Sequence, residues 1–151
     1  MVFSGFASAD APKTNASSCF GRGFFCIHDN CCSYYREDEM TDCLFCKIAD
    51  GEIPGDIVYQ DDTVVAFNDI NPQAPTHFLV VPRTHIPKIA DMTADQGGLI
   101  GRLFHAAAEI CRQKNISDYR MVINNGAAVG QSVFHIHLHV LAGRPFGWPP
   151  G

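Results

Sequence analysis

The chain has no excess of positive charge and no long apolar run. Its 11 Lys and Arg stand against 16 Asp and Glu, which gives a formal net charge of −5. The basic residues form no runs, so a nucleic-acid surface built on bulk basicity is not expected. No stretch approaches the roughly 18 apolar residues that a membrane span requires. We therefore expect neither nucleic acid nor a membrane as a partner.

We also expect no secretory signal, because no basic segment precedes an apolar core in the opening MVFSGFASADAPKTNASSCF. The segment is rich in Ser and Ala but poor in Arg, which gives little support to an organelle transit peptide. We expect a cytoplasmic protein, with an organelle as the alternative if residues 1–39 act as a transit peptide.

What the chain does have is an apolar fraction of 46% over 151 residues, enough for one sizeable core. Residues 1–39 show no steady periodicity and end in the polar stretch REDE. We interpret them as an extension outside the main fold, whether a presequence, a tail or an upstream start. The predicted domain comprises residues 40–151.

Seven cysteines are many for this length, but their placement does not suit a disulfide framework. The odd count and the vicinal Cys31 and Cys32 favour a reducing compartment or a metal site. Cys43 and Cys46 form a Cys-x-x-Cys motif, which suits either a metal or a redox pair. A second possible metal set, with a thiol-rich leader as the alternative, lies in the extension: Cys26, His28, Cys31 and Cys32.

From Asp42 onward the sequence pattern is regular. CLFCKIADGE predicts a short helix ending near Gly51, and DIVYQDD and TVVAFND predict two strands joined by a turn. HFLVVP, YRMVIN and HIHLHVLA predict three further strands. Thr93 is a good cap for a long helix whose apolar residues recur at i, i+3 and i+4. The predicted fold class is α+β, a mostly antiparallel sheet with one long and one short helix.

Three histidines alternate with apolar residues in HIHLHV, residues 135–140. Because side chains alternate between the two faces of a strand, we expect His135, His137 and His139 to share one face. Exposed sheet faces are normally built from Thr, Lys, Glu and Arg, so three imidazoles indicate nucleophilic attack, proton transfer or metal ligation. His77 is a fourth member if the strand HFLVV lies beside theirs.

A glycine-containing loop, NNGAAVGQS, precedes the histidines. Gly126 and Gly130 let the backbone approach a ligand, and Gln131 and Ser132 add donors. Such loops cradle anions, although this one matches no Walker or Rossmann fingerprint and a plain turn is the alternative. A histidine that attacks phosphorus needs donors for the non-bridging oxygens and a neighbour that protonates the leaving group. The two motifs together favour phosphorus chemistry at His137.

HIHLHVLAGR resembles the His-φ-His-φ-His-φ-φ signature of the histidine triad superfamily, in which φ is apolar. FNDINPQAPTHFLVVP, YRMVINNGAAVGQSVFHIHLHVLAGR and the terminal WPPG are similar to the Hint branch, the purine nucleoside phosphoramidases. The resemblance runs from about Cys43 to Gly151. It implies a histidine triad fold, a homodimer, and hydrolysis of adenosine 5′-phosphoramidates through a covalent nucleotidyl-histidine.

The resemblance also implies roles for individual residues. His137 would be the nucleophile and His139 would assist the leaving group, while His135 and His77 would complete the proton network. Asp69 would hold the ribose hydroxyls, a usual task for a carboxylate. The remaining predicted contacts are those with phosphate or leaving group, Asn124, Gly130, Gln131 and the catalytic Ser132, and those with the purine, Leu44, Phe45, Ile48, Phe67 and Ile70. Ordinary core packing is the alternative for four of these residues, Leu44, Phe45, Ile48 and Phe67.

Here the sequence resembles the bacterial-type members, many of which pair a Cys-x-x-Cys motif with the histidine of PRTH and with the first histidine of the triad to hold a structural zinc. The resemblance thus implies a Zn²⁺ site formed by Cys43, Cys46, His85 and His135. Such a Cys₂His₂ shell is complete and leaves no open position for catalysis. In that case His135 serves the metal and not the proton network.

Two other functions stay open. One is a dinucleoside polyphosphate hydrolase or nucleotidyl transferase of the same superfamily, although those branches typically replace the third histidine or its setting, and His139 is intact. The other is a nucleotide- or metal-binding adaptor without turnover, against which the intact His77, His137 and Ser132 argue. Trp148 in the tail packs either on its own chain or on a neighbouring subunit.

Overall fold

The computed structural model describes residues 42–150. The extension, its possible metal set and the domain boundary at residue 40 lie outside the described residues and stay predictions. Within residues 42–150, no helix is both long and apolar enough to cross a membrane.

Five strands form one antiparallel sheet in the order β1-β2-β3-β5-β4. Their bounds are β1 Ile57–Gln60, β2 Val64–Asn68, β3 Thr76–Pro82, β4 Tyr119–Val122 and β5 Leu138–Ala142. The predicted hairpin joins β1 to β2, and the Asp61 carboxylate accepts hydrogen bonds from the Thr63 and Val64 amides at 2.7 and 2.9 Å. The α+β class with an antiparallel sheet is confirmed.

The two helices are α1, Leu44–Ala49, and α2, Gly97–Gln113. After α1 the chain turns at Gly51, whose φ of +78° lies in the left-handed region that glycine adopts without strain. The 3₁₀ turn Ala94–Gln96 leads directly into α2, and the Thr93 amide donates to Gln96 Oε1 at 3.0 Å, as in a capping box. The long helix therefore begins close to Thr93, as the sequence predicts.

The sheet is buried on both faces. On one face Val64, Phe78 and Val140 pack against α2 through residues such as Leu103 and Ile110. The opposite face carries a second apolar cluster, Val65, Phe67, Leu79 and Val81, packed against Phe45 of α1. Consecutive residues of β2 and β3 thus belong to different clusters, as strand alternation requires. Among the predicted functional residues, Phe67, His77 and His139 follow this alternation and lie on the α1 face.

β5 begins later than the sequence predicts. It starts at Leu138, whereas His135 and His137 lie in the bent segment before it. The Ile136 amide donates to the Ile86 carbonyl at 2.7 Å and so bonds outside the sheet ladder. Side-chain alternation continues through the bend, because Ile136 is buried in the α2 cluster. The predicted strand is thus too long by three residues.

The tail has a definite place on its own chain up to Phe146. The Phe146 ring lies between two guanidinium groups, with Arg144 Cζ 4.2 Å and Arg120 Cζ 4.9 Å from its centroid. Trp148, by contrast, is 88% exposed. Within this chain, packing of the Trp148 ring on its own domain is therefore not observed.

Candidate active site and metal centre

A cavity of about 790 Å³ opens on the α1 face of the sheet. Its walls come from α1, the segments flanking β2, the start of β3 and the segment entering β5. His77 and most of the predicted nucleotide contacts line it: Leu44, Phe45, Ile48, Phe67, Asp69, Ile70, Ser132, His137 and His139. The volume and the mostly apolar wall suit a small organic ligand.

Three predicted phosphate contacts, Asn124, Gly130 and Gln131, do not line this cavity. The Gln131 side chain is buried and bonded within the protein, since Oε1 accepts the Gly126 amide at 2.8 Å and Nε2 donates to the Pro87 carbonyl at 2.6 Å. This side chain shapes the loop and does not offer its donors to a ligand. Gly130 has φ of +93°, so a glycine there supports the turn.

Other cavity residues were not singled out from the sequence. The polar ones are Asp56, Asn68, Asn71 and Gln73, and the apolar ones include Ile53, Pro54, Leu79 and Val133. Asn68 Nδ2 donates to Asp56 Oδ2 at 2.7 Å, which ties the two sides of the β1–β2 hairpin together. For Asn68, Asn71 and Gln73, nearness to Asp69 in the sequence was the only available signal.

Phe45 forms the apolar wall beside the histidines. Its ring meets Phe67 edge to face at a centroid distance of 5.4 Å and His137 at 5.2 Å. At the open side of the cavity, Ile70 is fully exposed and Leu44 is 45% exposed. These apolar surfaces suit a flat ring inserted between them.

The neutral ring of His137, which lines the cavity, has one unprotonated nitrogen. Its Nδ1 lies 2.7 Å from the carbonyl oxygen of His135. Because a carbonyl only accepts, Nδ1 carries the proton of the neutral ring and Nε2 carries the lone pair. The ring is 4% exposed, and its centroid lies 4.8 Å from that of His139. The backbone thus presents an unprotonated imidazole nitrogen beside a second imidazole.

The opposite tautomer holds at His77. Its Nδ1 accepts the backbone N–H of Gln73 at 3.1 Å, so the proton of the neutral ring is on Nε2. That Nε2 lies 3.0 Å from His139 Nδ1 and 3.4 Å from Asp69 Oδ2. His139 Nδ1 therefore accepts, and the proton of neutral His139 is on Nε2. A directed chain of proton donors leads from His77 through His139.

Both members of this chain are neutral at pH 7. Burial lowers the pKa of His77, against the opposing charge of Asp69. Burial, together with the neighbouring His137 and His77, lowers the pKa of His139 to about 4, again against Asp69. The donor chain therefore has the protonation state that its hydrogen bonds require.

A second cluster consists of the four residues predicted as metal ligands. One ligand atom from each of Cys43, Cys46, His85 and His135 lies within 4.8 Å of the others. The His135 Nδ1 lies 3.4 and 3.5 Å from the sulfurs of Cys43 and Cys46, and the His85 Nδ1 lies 3.4 Å from that of Cys46. Tetrahedral zinc, with Zn–S near 2.3 Å and Zn–N near 2.0–2.1 Å, places such atoms about 3.6 Å apart. The arrangement fits a metal ion.

The hydrogen bond of His135 also suits ligation. Its Nε2 donates to the Pro82 carbonyl at 2.8 Å, so Nδ1 carries the lone pair and faces the thiols. The residue is fully buried, and burial lowers its pKa to about 4. Burial and the neighbouring Cys43 raise the pKa of Cys46 to about 12, so that thiol keeps its proton until a cation replaces it. Both cysteines are free thiols.

Comparisons with known proteins agree with this geometry. Residues 42–145 match the family described as scavenger mRNA decapping enzyme C-term binding. An uncharacterised HIT-like protein of Synechocystis is 51% identical over 111 residues, 73% of this chain and 97% of the relative. The purine nucleoside phosphoramidase of Escherichia coli is 49% identical over 106 residues, 69% of this chain and 89% of the relative. A HIT family hydrolase from Legionella pneumophila has a similar structure, with a TM-score of 0.71 at 46% identity over 73% of this chain and all of that one.

The chain belongs to the histidine triad superfamily, and within it to the HIT family hydrolases. The family match over residues 42–145 includes all the residues of both clusters. The family that HIHLHV resembles is thus confirmed, and the purine nucleoside phosphoramidase of E. coli is among the relatives of this chain.

Proposed function

We propose that this protein hydrolyses the P–N bond of purine nucleoside 5′-phosphoramidates through a nucleotidyl-His137 intermediate. The observation that carries the proposal is the pair of opposed tautomers in the cavity. His137 has a bare Nε2 because its Nδ1–H donates to a backbone carbonyl, and His139 beside it has a proton on Nε2. The similarity to the E. coli phosphoramidase supports the same substrate class.

The reaction needs both nitrogens. Attack forms a bond between His137 Nε2 and phosphorus and breaks the bond from phosphorus to the amine. The departing nitrogen takes the Nε2 proton of neutral His139, and the hydrogen bond from His77 Nε2 to His139 Nδ1 stabilises the imidazolate that this leaves until the second step restores the proton. Water then attacks the nucleotidyl-histidine, one of its protons returns to His139, and a nucleoside monophosphate leaves. The net reaction consumes one water and releases one amine.

Other residues of the cavity would bind the ribose, the purine and the phosphate of the nucleotide. Asp69 Oδ1 accepts the Asn71 amide at 2.8 Å and Oδ2 faces His77, which holds the carboxylate in place for the ribose hydroxyls. Phe45 and Phe67 supply the wall for the purine. Ser132 lines the cavity next to the histidines and is assigned to the phosphate.

A single-turnover experiment tests the intermediate. The zinc-loaded protein is mixed with an adenosine phosphoramidate, quenched in alkaline detergent because P–N bonds are labile to acid, and analysed by intact mass. We expect an adduct of one adenylyl group on the wild-type chain and on His105→Ala, whose histidine lies on the exposed side of α2. An adduct of the same yield on His137→Ala would overturn the assignment. Faster turnover of a diadenosine polyphosphate would instead favour the hydrolase or transferase alternative.

We further propose that the second cluster holds a structural Zn²⁺ through Cys43, Cys46, His85 and His135. Two thiolates and two imidazoles are the soft and intermediate donors that zinc takes in closed sites, and they leave no position for substrate. When bound, the ion supplies fold stability. His135 then belongs to the metal and not to the proton chain. A cytoplasmic, reducing location would keep both thiols available.

A homodimer is also proposed. β4 forms an edge of the sheet in this chain, and an edge strand offers backbone groups for pairing with a second copy. The 88% exposed Trp148 is a large ring suited to a neighbouring subunit. Light scattering at micromolar concentration tests this, and a monomeric mass would contradict it.

A further inference from the structure

The segment between β2 and β3 carries the amide that fixes the His77 tautomer. Within it, the Asn71 amide donates to Asp69, and Gln73 Nε2 donates to the Asn71 carbonyl at 2.9 Å. The Gln73 amide then donates to His77 Nδ1. A shift of Gln73 would therefore remove the group that keeps the His77 proton on Nε2.

Two residues just after β5 hold this segment from outside the cavity. Arg144 donates from Nε and Nη2 to the Gln73 carbonyl, at 3.3 and 3.2 Å. Gly143 has φ of +89°, and a Cβ there would lie 2.9 Å from the Pro75 side chain. Only glycine allows Pro75 to come this close. Gly143 and Arg144 thus brace residues 73–75 against the end of the strand that carries His139.

Arg120 provides an internal comparison for Arg144. Both guanidinium groups lie over the Phe146 ring. Arg120 Nη2 donates to the Gly147 carbonyl at 2.8 Å, whereas Arg144 donates to Gln73. The two arginines thus share their charge and their aromatic partner, but only Arg144 has a hydrogen bond to the segment that faces His77.

We propose that Arg144 is a positioning residue: by holding the Gln73 carbonyl it keeps the Gln73 amide on His77 Nδ1 and so sets the direction of the proton chain. The kinetic consequence rests on the proposed phosphoramidase function. The tautomer of His77, by contrast, is a property of the free protein.

The direction matters because a reversed chain delivers no proton to the substrate. If His77 carried its proton on Nδ1, its Nε2 would accept from His139 Nδ1. Neutral His139 would then have a bare Nε2 toward the cavity and could not protonate the departing amine. One hydrogen bond from a backbone amide selects between these states.

The influence of other charged groups on His77 has to be distinguished from that of the Arg144 hydrogen bonds. The titratable groups that face its ring are Asp69 at 3.4 Å and His139 at 3.0 Å, with His137 beyond His139. Arg144→Lys keeps the positive charge but loses the forked pair of donors. Arg120→Gln removes a positive charge over the Phe146 ring, which Arg144 also contacts, and leaves the hydrogen bonds to Gln73 intact.

The first test is the tautomer itself, read from imidazole ¹⁵N shifts in long-range ¹H–¹⁵N spectra of the zinc-loaded protein near pH 7. The wild type should show His77 protonated on Nε2. Arg144→Gln should move His77 toward a mixture of both tautomers, Arg144→Lys should do so partly, and Arg120→Gln should match the wild type. An unchanged His77 in Arg144→Gln, or an equal change in Arg120→Gln, would overturn the proposal.

The second test is kinetic. Arg144→Gln should lower kcat/KM roughly 10-fold for a substrate with a strongly basic leaving amine, less for an arylamine, and leave KM nearly unchanged. Losing an amide that opposes protonation of Nδ1 should also move the acid limb of kcat/KM to higher pH. An equal loss for all amines would overturn the positioning role. A wild type without phosphoramidase activity would refute the proposed function alone, because the tautomer result stands independently.

Discussion

Two clusters on the same face of the sheet contain residue types that bind metals. Cys43, Cys46, His85 and His135 form one, and Asp69, His77 and His139 form the other, each with its ligand atoms within 4.8 Å of one another. In each cluster a backbone group forms a hydrogen bond with the ring nitrogen of one histidine that points away from the cluster, and this backbone group differs between the two. At His135 this group is the Pro82 carbonyl, and at His77 it is the Gln73 amide.

This difference decides what each cluster does. A carbonyl requires a proton on the nitrogen that it contacts, so the other nitrogen of His135 is bare and ready for a cation. An amide requires a bare nitrogen, so the other nitrogen of His77 carries a proton. A metal on that nitrogen would force a proton onto Nδ1, against the Gln73 N–H. The first cluster therefore suits a metal, and the second suits proton transfer.

The metal cluster contacts His137 through His135. Its ring belongs to the metal cluster, while its carbonyl accepts the Nδ1 proton of His137. Phe45, between Cys43 and Cys46 in the sequence, also packs against both His135 and His137, at 6.1 and 5.2 Å. The metal cluster thus contacts the residue that we propose as the nucleophile.

The largest effect is expected at the nucleophile. His137→Ala should lower turnover on the order of 10³-fold or more, because no other group replaces the covalent step, while nucleotide affinity is largely kept. Steady-state kinetics and calorimetric titration with adenosine monophosphate measure the two quantities. His105→Ala is the control, and near-normal kcat in His137→Ala would refute the role.

Loss of the proton donor should cost less. His139→Ala should reduce kcat by roughly 10²-fold with a strongly basic leaving amine and by a smaller factor with a weakly basic one. The reason is that a poor leaving group depends most on protonation. A series of phosphoramidates that differ only in amine pKa provides the measurement. Equal losses across the series would remove His139 from the acid role.

The metal cluster should affect stability and not chemistry. Cys43→Ser should lose its zinc and at least about 2 kcal/mol of unfolding free energy, since metal binding to the native state adds directly to stability. Metal analysis and thermal unfolding measure both. Cys111→Ser is the matched control, a buried cysteine in α2 that should keep its zinc. Full stability of zinc-free wild type would favour the redox interpretation of the Cys-x-x-Cys motif.

The smallest effect is a pH dependence of stability in chelator-treated protein. Burial lowers the pKa of His139 from 6.5 to about 4, so between these values the unfolded chain binds more protons than the folded one. The contribution of neutral His139 to the free energy of unfolding should therefore fall as pH drops from about 6.5 to about 4. Below that window this contribution should be absent. His139→Gln should flatten the profile of Tm against pH. A profile identical to the wild type would contradict the buried neutral state.

The sequence predicted what depends on side-chain pattern. Alternation and turn residues located the strands, and the spacing of Cys43 and Cys46 indicated ligands on one helical turn. The late start of β5 was missed because it results from a hydrogen bond between Ile136 and the distant Ile86. The bonds of the Gln131 side chain within its own loop were not foreseen, because residue type does not tell whether an amide points at a ligand or into the protein; its phosphate contact stays a prediction. Gln73 was missed because its contribution to His77 comes from the backbone, which no residue type reveals.

Titration of the metal-free protein with Co²⁺ tests the central claim most directly. For the two clusters of residues 42–150, the account predicts one ion at the Cys43 cluster, with the charge-transfer absorption of cobalt bound to thiolates, and none at the His77 cluster when Co²⁺ is in excess. Asp69→Asn should leave this titration unchanged, and Cys43→Ser should abolish it. A second equivalent without thiolate absorption, lost in Asp69→Asn, would show that the His77 cluster also takes a metal and would contradict the assignment of one cluster to the ion and the other to protons.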